Sequence, residues 1–285
     1  MPRQQGFTLI ELIVTIVLSV IVVSFMTVFI AGPVQGFADL SRRAALVNLA
    51  DSALQRMSRD IHRALPNSVR VATAGSITAL ELLNTVDGVR YREQPPPADP
   101  LKQLDFSAPD GAFNSVGQFS GIVKPFSSIA HYLAIYNVGV PGANAYELVN
   151  VITPPGTQID IDTDAIAGED NVRVSPAFQF AYGSPAQRIF LIDGPVTYLC
   201  DTGAGTLARY SDYTITANQS DRDSDVELLA AGASRALISN QLTSCAVTYA
   251  PGSSERAGLV SLELGIAAAG ETISLLHQVH VDNVP

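Results

Sequence analysis

The hydrophobic pattern divides the chain into three regimes. From Phe7 to Ala31 nearly every position is apolar, and Glu11 is the single ionisable residue between Gln4 and Gly32. At ~1.5 Å per residue, a helix over this run is long enough to cross a hydrocarbon core of roughly 30 Å. In the next stretch, "ADLSRRAALVNLADSALQRMSRDIHRALPN", apolar residues recur three and four apart at Ala44, Val47, Ala50, Leu54, Met57, Ile61 and Leu65. That spacing predicts an amphipathic helix with one buried stripe. Arg56 with Asp60 and Asp60 with Arg63 are spaced to pair on its outer face, and Pro66 and Asn67 end it. The two helical stretches meet at "AGPVQG", where Pro33 lacks a backbone donor and glycines weaken the helix, so a kink or melted turn is expected, either as a hinge or as Gly32 and Pro33 simply marking the membrane boundary.

From Ser68 onward the period changes to two. "ITALELLNTVDGVRYRE" reads as two strands around an Asp87–Gly88 turn, and "PPPADP" then stops pairing. Further strands are expected in "HYLAIYNV", "PAFQFAY", "RIFLIDGPVTYLCD", "LARYSDYTI", "CAVTYA", "LVSLELGIA" and "ISLLHQVHV". The last three, separated by "PGSSERAG" and "AAGE", suit a terminal antiparallel meander. Residues 99–171 are Gly and Pro rich with poor periodicity and read as a loop-rich insertion. The fold class is therefore α+β: a long N-terminal helix, half transmembrane and half amphipathic, on a mostly antiparallel β head. The boundaries are 1–6, 7–31, 32–66 and 67–285.

An acidic side chain inside a membrane helix is costly and marks a functional site unless it snorkels to the headgroups. The residues before the run favour function. A secretory signal has a shorter apolar stretch and a small-residue cleavage site after it, whereas "AGPVQG" is a poor site of that kind. The processing signal lies before the run, where "MPRQQG" is followed by "FTLIEL". Over Gly6 to about Ile30 the chain resembles a type IV prepilin. The resemblance implies that a prepilin peptidase cuts between Gly6 and Phe7 on the cytoplasmic side and that the Phe7 amine is N-methylated. Glu11, the fifth residue after the cut, would then neutralise the Phe7 amine of a neighbouring subunit and set the register of assembly.

Four further stretches, "MSRDIHRALPNSVRV", "IFLIDGPVTYLCD", "LARYSDY" and "SLLHQVHVDNVP", are similar to minor pilin-like proteins of mannose-sensitive haemagglutinin (MSHA) pilus biogenesis. That similarity implies a non-enzymatic, low-abundance subunit that primes assembly or sits near the tip of a pilus used in attachment. Its implied location is the bacterial inner membrane, single-pass with a periplasmic head, and the pilus after assembly. The implied partners are other minor pilins, the major pilin, the prepilin peptidase and the inner-membrane assembly platform. A J-type minor pseudopilin of type II secretion shares every N-terminal feature. A tip adhesin is a further alternative, in which aromatics such as Tyr210 and Tyr213 could serve a glycan site, although they fit strand packing at least as well.

Composition narrows the remaining chemistry. A net charge of -10 over 285 residues, with sparse Lys and Arg, disfavours a nucleic-acid partner. Cys200 and Cys245 are the two cysteines; in an oxidising periplasm they form one disulfide, or they stand as two buried thiols. The chain has no G-x-S-x-G elbow, phosphate loop, H-E-x-x-H or C-x-x-C. His277 and His280 lie three apart in an expected strand and so point to opposite faces; His62 and His131 have no evident ligand partners. No cofactor is expected apart from Ca²⁺, for which two acidic clusters are candidates. One is Asp160, Asp162 and Asp164 with Glu169 and Asp170; the other is Asp221, Asp223 and Asp225 with Glu227. Neither completes an EF-hand, because Ala165 and Val226 stand where the turn needs Gly, and Asn171 and Gly232 where the closing Glu belongs.

Overall fold

The computed structural model describes residues 6–96, 99, 102–252 and 257–281. The leader before Gly6, parts of "PPPADP" and "PGSSERAG", and the last four residues lie outside the described residues. The chain opens with one helix, α1 (Leu9–His62), 54 residues long or about 80 Å. The melted turn, one of the two outcomes expected at "AGPVQG", is absent: α1 is continuous through Pro33, and both Gly32 and Gly36 stand in open space. A proline removes a single donor from the ladder, and the apolar turns on either side carry the helix across it.

The helix changes character where it reaches the head. Among the described residues Leu46 is its first buried one, and the stripe continues through Ala50, Ala53, Leu54, Met57 and Ile61. Ala44 and Val47, expected in the stripe, are exposed, because contact with the head begins later and on a face set by Leu46. The expected outward pairs of Asp60 with Arg56 and Arg63 also give way. Asp60 turns to the sheet, where its Oδ2 accepts from Tyr198 Oη and Arg209 Nε, each at 2.7 Å.

The head holds β1 (Arg70–Ala74), β2 (Ile77–Tyr91), β3 (Asp110–Val116), β4 (Phe126–Ser128), β5 (Tyr132–Ala134), β6 (Gln158–Thr163) and β7 (Glu169–Phe178). They are followed by β8 (Arg188–Asp201), β9 (Thr206–Ser211), a short helix α2 (Asp225–Ala230), β10 (Ser234–Ser239), β11 (Leu242–Ala250), β12 (Gly258–Ala268) and β13 (Glu271–Val281). Every named strand pair is antiparallel. The large sheet has the order β10-β9-β8-β2-β3-β7-β6-β4, with β1 on β2 and β5 on β8. The expected terminal meander forms a separate sheet, β11-β12-β13.

Two expectations for the head change. Asp87 and Gly88 make no hairpin; they lie inside β2, which pairs with β8 from Ile77↔Asp201 to Arg90↔Arg188 through register shifts near Thr85. Gly88 is needed there for space: a Cβ would meet the Phe190 ring at 2.9 Å across the ladder. The middle, expected to be loop-rich, supplies β3 to β6 and the first residues of β7 in the large sheet. Its strands are short and interrupted by polar residues, as in "DGAFNSV" and "QIDIDT", so the alternation is weak in sequence.

The main core lies between the two sheets and α1. Ala53, Leu54, Met57 and Ile61 pack with Leu80 and Leu82 of β2, Val196 and Tyr198 of β8, and Val260, Leu262 and Val279 of the small sheet. A second core, with Tyr91, Phe113, Phe119, Ile159, Val172 and Ile189, stabilises the half built from the middle segment.

Candidate assembly site and head interior

The amino-terminal site is built by a helix start. Gly6 and Phe7 precede α1 in exposed backbone, open to an enzyme. Thr8 is the N-cap residue, in extended conformation, and a capping box closes on Glu11. Glu11 N–H donates to Thr8 Oγ1 at 3.4 Å, while Thr8 N–H and Oγ1–H donate to Glu11 Oε2 at 3.0 and 2.9 Å. The carboxylate therefore has two donors within its own chain, and both fall on one oxygen. The T-x-x-E spacing before an apolar run carries this information, and the sequence reading passed over it.

From Leu12 to Val34 the sequence of the helix holds only apolar and hydroxyl residues. Thr15, Ser19, Ser24 and Thr27 each return their hydroxyl to a carbonyl three or four residues earlier, so this face presents little free polarity. This half of α1 is long and apolar enough to cross a membrane, and none of it is buried in the protein.

The first acidic cluster is occupied by the protein's own groups. Lys102 Nζ contacts both oxygens of Asp164 at 2.6 and 2.8 Å, Lys124 Nζ meets Asp170 at 2.6 Å, and Arg92 pairs with Glu169. Asp160 accepts from Ser127 and Gln158, and Asp162 caps Thr163 N–H. Ammonium and guanidinium groups thus stand where a cation would be needed. In the second cluster Ser224 caps α2, Asp225 pairs with Arg235 and Tyr210, and Glu227 accepts from Asp223 N–H. Asp221 ends a 3-10 turn (Gln219–Asp221). Among the described residues no group of three or more His, Cys, Asp or Glu side chains is arranged to hold a metal. Neither Asp160, Asp162 and Asp164 nor Asp221, Asp223 and Asp225 forms such a group.

Of the two readings of the aromatics, packing is the one the fold adopts. Tyr210 and Tyr213 are 1% and 6% exposed, closed to a glycan. They pack with Ala79, Leu199 and Leu228, and Tyr213, in the segment that follows β9, donates from Oη to Glu81 Oε1 at 3.1 Å and lies 2.7 Å from Thr197 Oγ1. His277 and His280 are both exposed on β13, and His62 is exposed near the end of α1. His131 Nδ1 lies 2.7 Å from Ser128 Oγ, and burial pushes its imidazole below the usual value.

Cys200 and Cys245 are joined by a disulfide, with Cα atoms 6.3 Å apart. It links β8 of the large sheet to β11 of the small one, the strands between which the main core is packed.

Residues 1–27 match the family model described as the prokaryotic N-terminal methylation motif. The match, with an apolar helix leading into an antiparallel β head, supports a type IV pilin-like protein with a membrane anchor and a separate head. The motif family is structural and not catalytic, and it implies assembly with other pilins and processing by a prepilin peptidase. No curated protein matches the chain. No solved structure matches it either.

Proposed function

We propose that this chain is a minor pilin of an MSHA-type type IV pilus, cleaved between Gly6 and Phe7 and methylated on Phe7, which helps initiate assembly or forms part of the tip complex in surface attachment. The observation that carries the reading is the placement of Glu11. It is the fifth residue after the cut and the single acid of the apolar run, inside the matched motif. The MSHA assignment is supported by the similarity of "MSRDIHRALPNSVRV", "IFLIDGPVTYLCD" and "LARYSDY" to the MSHA biogenesis protein MshO.

The capping box supplies a mechanism for waiting. Before assembly Thr8 satisfies the carboxylate, which lowers the cost of holding it near lipid. On docking, the cationic Phe7 amine of a neighbour offers Glu11 a stronger, charge-assisted partner. The exchange favours a register in which amine and carboxylate meet, and disfavours registers that leave either one bare.

The test is the mass of the N-terminal peptide from membranes of cells containing a prepilin peptidase. The expected peptide begins at methylated Phe7, and Gly6→Ser retains the leader. Glu11→Val is expected to insert and be processed normally but to lower pilus number. A wild-type peptide that keeps Met1 through Gly6, or normal piliation with Glu11→Val, would sink the reading.

A further inference from the structure

The apolar run does not end where an upright span would. Glu11 and Asp39 are consecutive ionisable residues on α1, and the helix between them, Leu12 to Ala38, rises about 40 Å at ~1.5 Å per residue. The hydrocarbon core is only roughly 30 Å thick. An upright helix therefore leaves its last turns before Asp39 above the core. The head does not cover them, because among the described residues it first buries α1 at Leu46.

These turns have two unlike sides. At ~100° per residue, the buried stripe of Leu46, Ala50, Ala53, Met57 and Ile61 fixes the direction of the head. Gln35, Asp39, Arg42 and Arg43 project within about 70° of that direction, and Asp39 pairs with Arg42 there. Val34 and Phe37 project to the opposite side, 61% and 75% exposed, with Leu40 on the flank at 67%. That side continues down the span without a break. Val23, Met26, Thr27, Ile30 and Val34 line one shallow groove, and the Thr27 hydroxyl is returned to the backbone.

Lipid is the occupant that this arrangement fits. The face is continuous with the span, so the acyl chains that cover Ile30 reach Val34 and Phe37 once the helix leans to that side. A lean of roughly 20–40° is ordinary for a span longer than the core. It lowers Val34 and Phe37 toward the acyl chains and raises Gln35, Asp39, Arg42 and Arg43 into water. A lean toward the head would drive Asp39 and the two arginines toward the hydrocarbon, which is costly. A helix with one apolar and one charged side at this depth settles in the boundary between headgroups and acyl chains.

We propose that Val34 and Phe37, flanked by Leu40, form an interfacial lipid-binding face that extends the anchor past Ala31 on the side away from the head and sets the direction in which the span leans. The head is thereby carried on the upper side of the leaning helix. The inference rests on the membrane anchor and is independent of the pilus role of the chain.

The chain contains no tryptophan, so one introduced indole reports its depth without background. The full chain carrying Gln35→Trp or Phe37→Trp is reconstituted in vesicles of phosphatidylethanolamine and phosphatidylglycerol with brominated acyl chains. Both positions are exposed and lie outside the head, so an unchanged melting temperature shows that each variant is folded. Position 35 lies nearer the membrane along the helix axis, and an upright span quenches it more. The leaning span reverses that order: Phe37→Trp is expected to be quenched at least about twofold more strongly than Gln35→Trp. The order is expected to hold when lipid is raised about tenfold over protein, which disfavours contact between copies. Equal quenching, stronger quenching of Gln35→Trp, or no quenching at either position overturns the proposal. An order that depends on the protein-to-lipid ratio also overturns it and makes a second copy the occupant. A retained leader peptide would sink the pilin reading and leave these outcomes readable.

Discussion

Arg70 Nε donates to Glu81 Oε2 at 2.7 Å, and Glu81 is completely buried on the face of the large sheet that the segment after β9 covers. The same guanidinium donates to the carbonyls of Ala217 and Thr216 and stacks on the Tyr146 ring at 3.5 Å. One arginine thus ties β1, β2, the covering segment and the 3-10 helix Ala145–Glu147. Removing it with Arg70→Ala leaves a buried carboxylate without its countercharge, an expected loss of about 3–5 kcal/mol in urea unfolding of the full chain in detergent. A loss below about 1 kcal/mol would mean that the network does not hold the segment.

Burial pushes the Glu81 carboxyl above its ordinary 4.5 and prevails over Arg70 and Tyr213, which pull it down. Because the folded-state value is raised, the folded protein binds this proton more tightly than the unfolded chain. The stability contributed by Glu81 is therefore fully present below about pH 4.5 and is lost as pH rises through the folded value. Glu81→Gln does not titrate, so wild type is expected to lose stability relative to the variant as pH climbs from 4 to 8. Denaturation at several pH values checks it, and a difference that moves in wild type's favour contradicts the sign.

Arg92 beside Glu169 has the opposite sign. The guanidinium's hydrogen bond holds Glu169 below its ordinary 4.5, so its stabilisation is present above that value and is lost as pH falls through the lower folded value. Lys124→Ala strands Asp170, which is buried, and should cost about 3–5 kcal/mol. Because lysines fill the acidic cluster, adding ~2 mM Ca²⁺, enough to load a typical extracellular calcium module, should leave the melting temperature unchanged. A rise of several degrees would restore the calcium site.

Besides its apolar packing, α1 is attached to the head through one carboxylate oxygen of Asp60 that accepts from Tyr198 and Arg209. Burial and Asp60 push the Tyr198 phenol well above its ordinary value, so it stays a donor across the physiological range. Asp60→Ala is expected to cost about 1–3 kcal/mol and to increase proteolysis between Arg59 and Arg63. An unchanged cleavage pattern would show that apolar packing alone seats the helix.

The Cys200–Cys245 bond closes a loop with a sequence separation of 45 and spans the main core. Cys200→Ser is expected to lower stability by about 2–4 kcal/mol under oxidising conditions and to abolish the response of wild type to reductant. Equal melting curves for the two proteins would remove the bridge from the account.

The sequence by itself determined what depends on neighbours along the chain. The membrane-length apolar run, the spacing of Gly6, Phe7 and Glu11, the full span of β8 and the terminal meander are all read from local period and turn residues. The capping box of Thr8 and Glu11 was equally local and legible, had the T-x-x-E spacing been weighed. Only the tertiary structure decided what depends on distant partners. Gly88 resembled a turn until Phe190 lay across it, Asp60 was free to pair along its helix until Tyr198 and Arg209 came beneath it, and Asp164 and Asp170 could suit a cation until Lys102 and Lys124 arrived. The reason is physical: period and capping are satisfied within a few residues, whereas a buried or half-buried charge takes whichever countercharge the fold brings within about 3 Å.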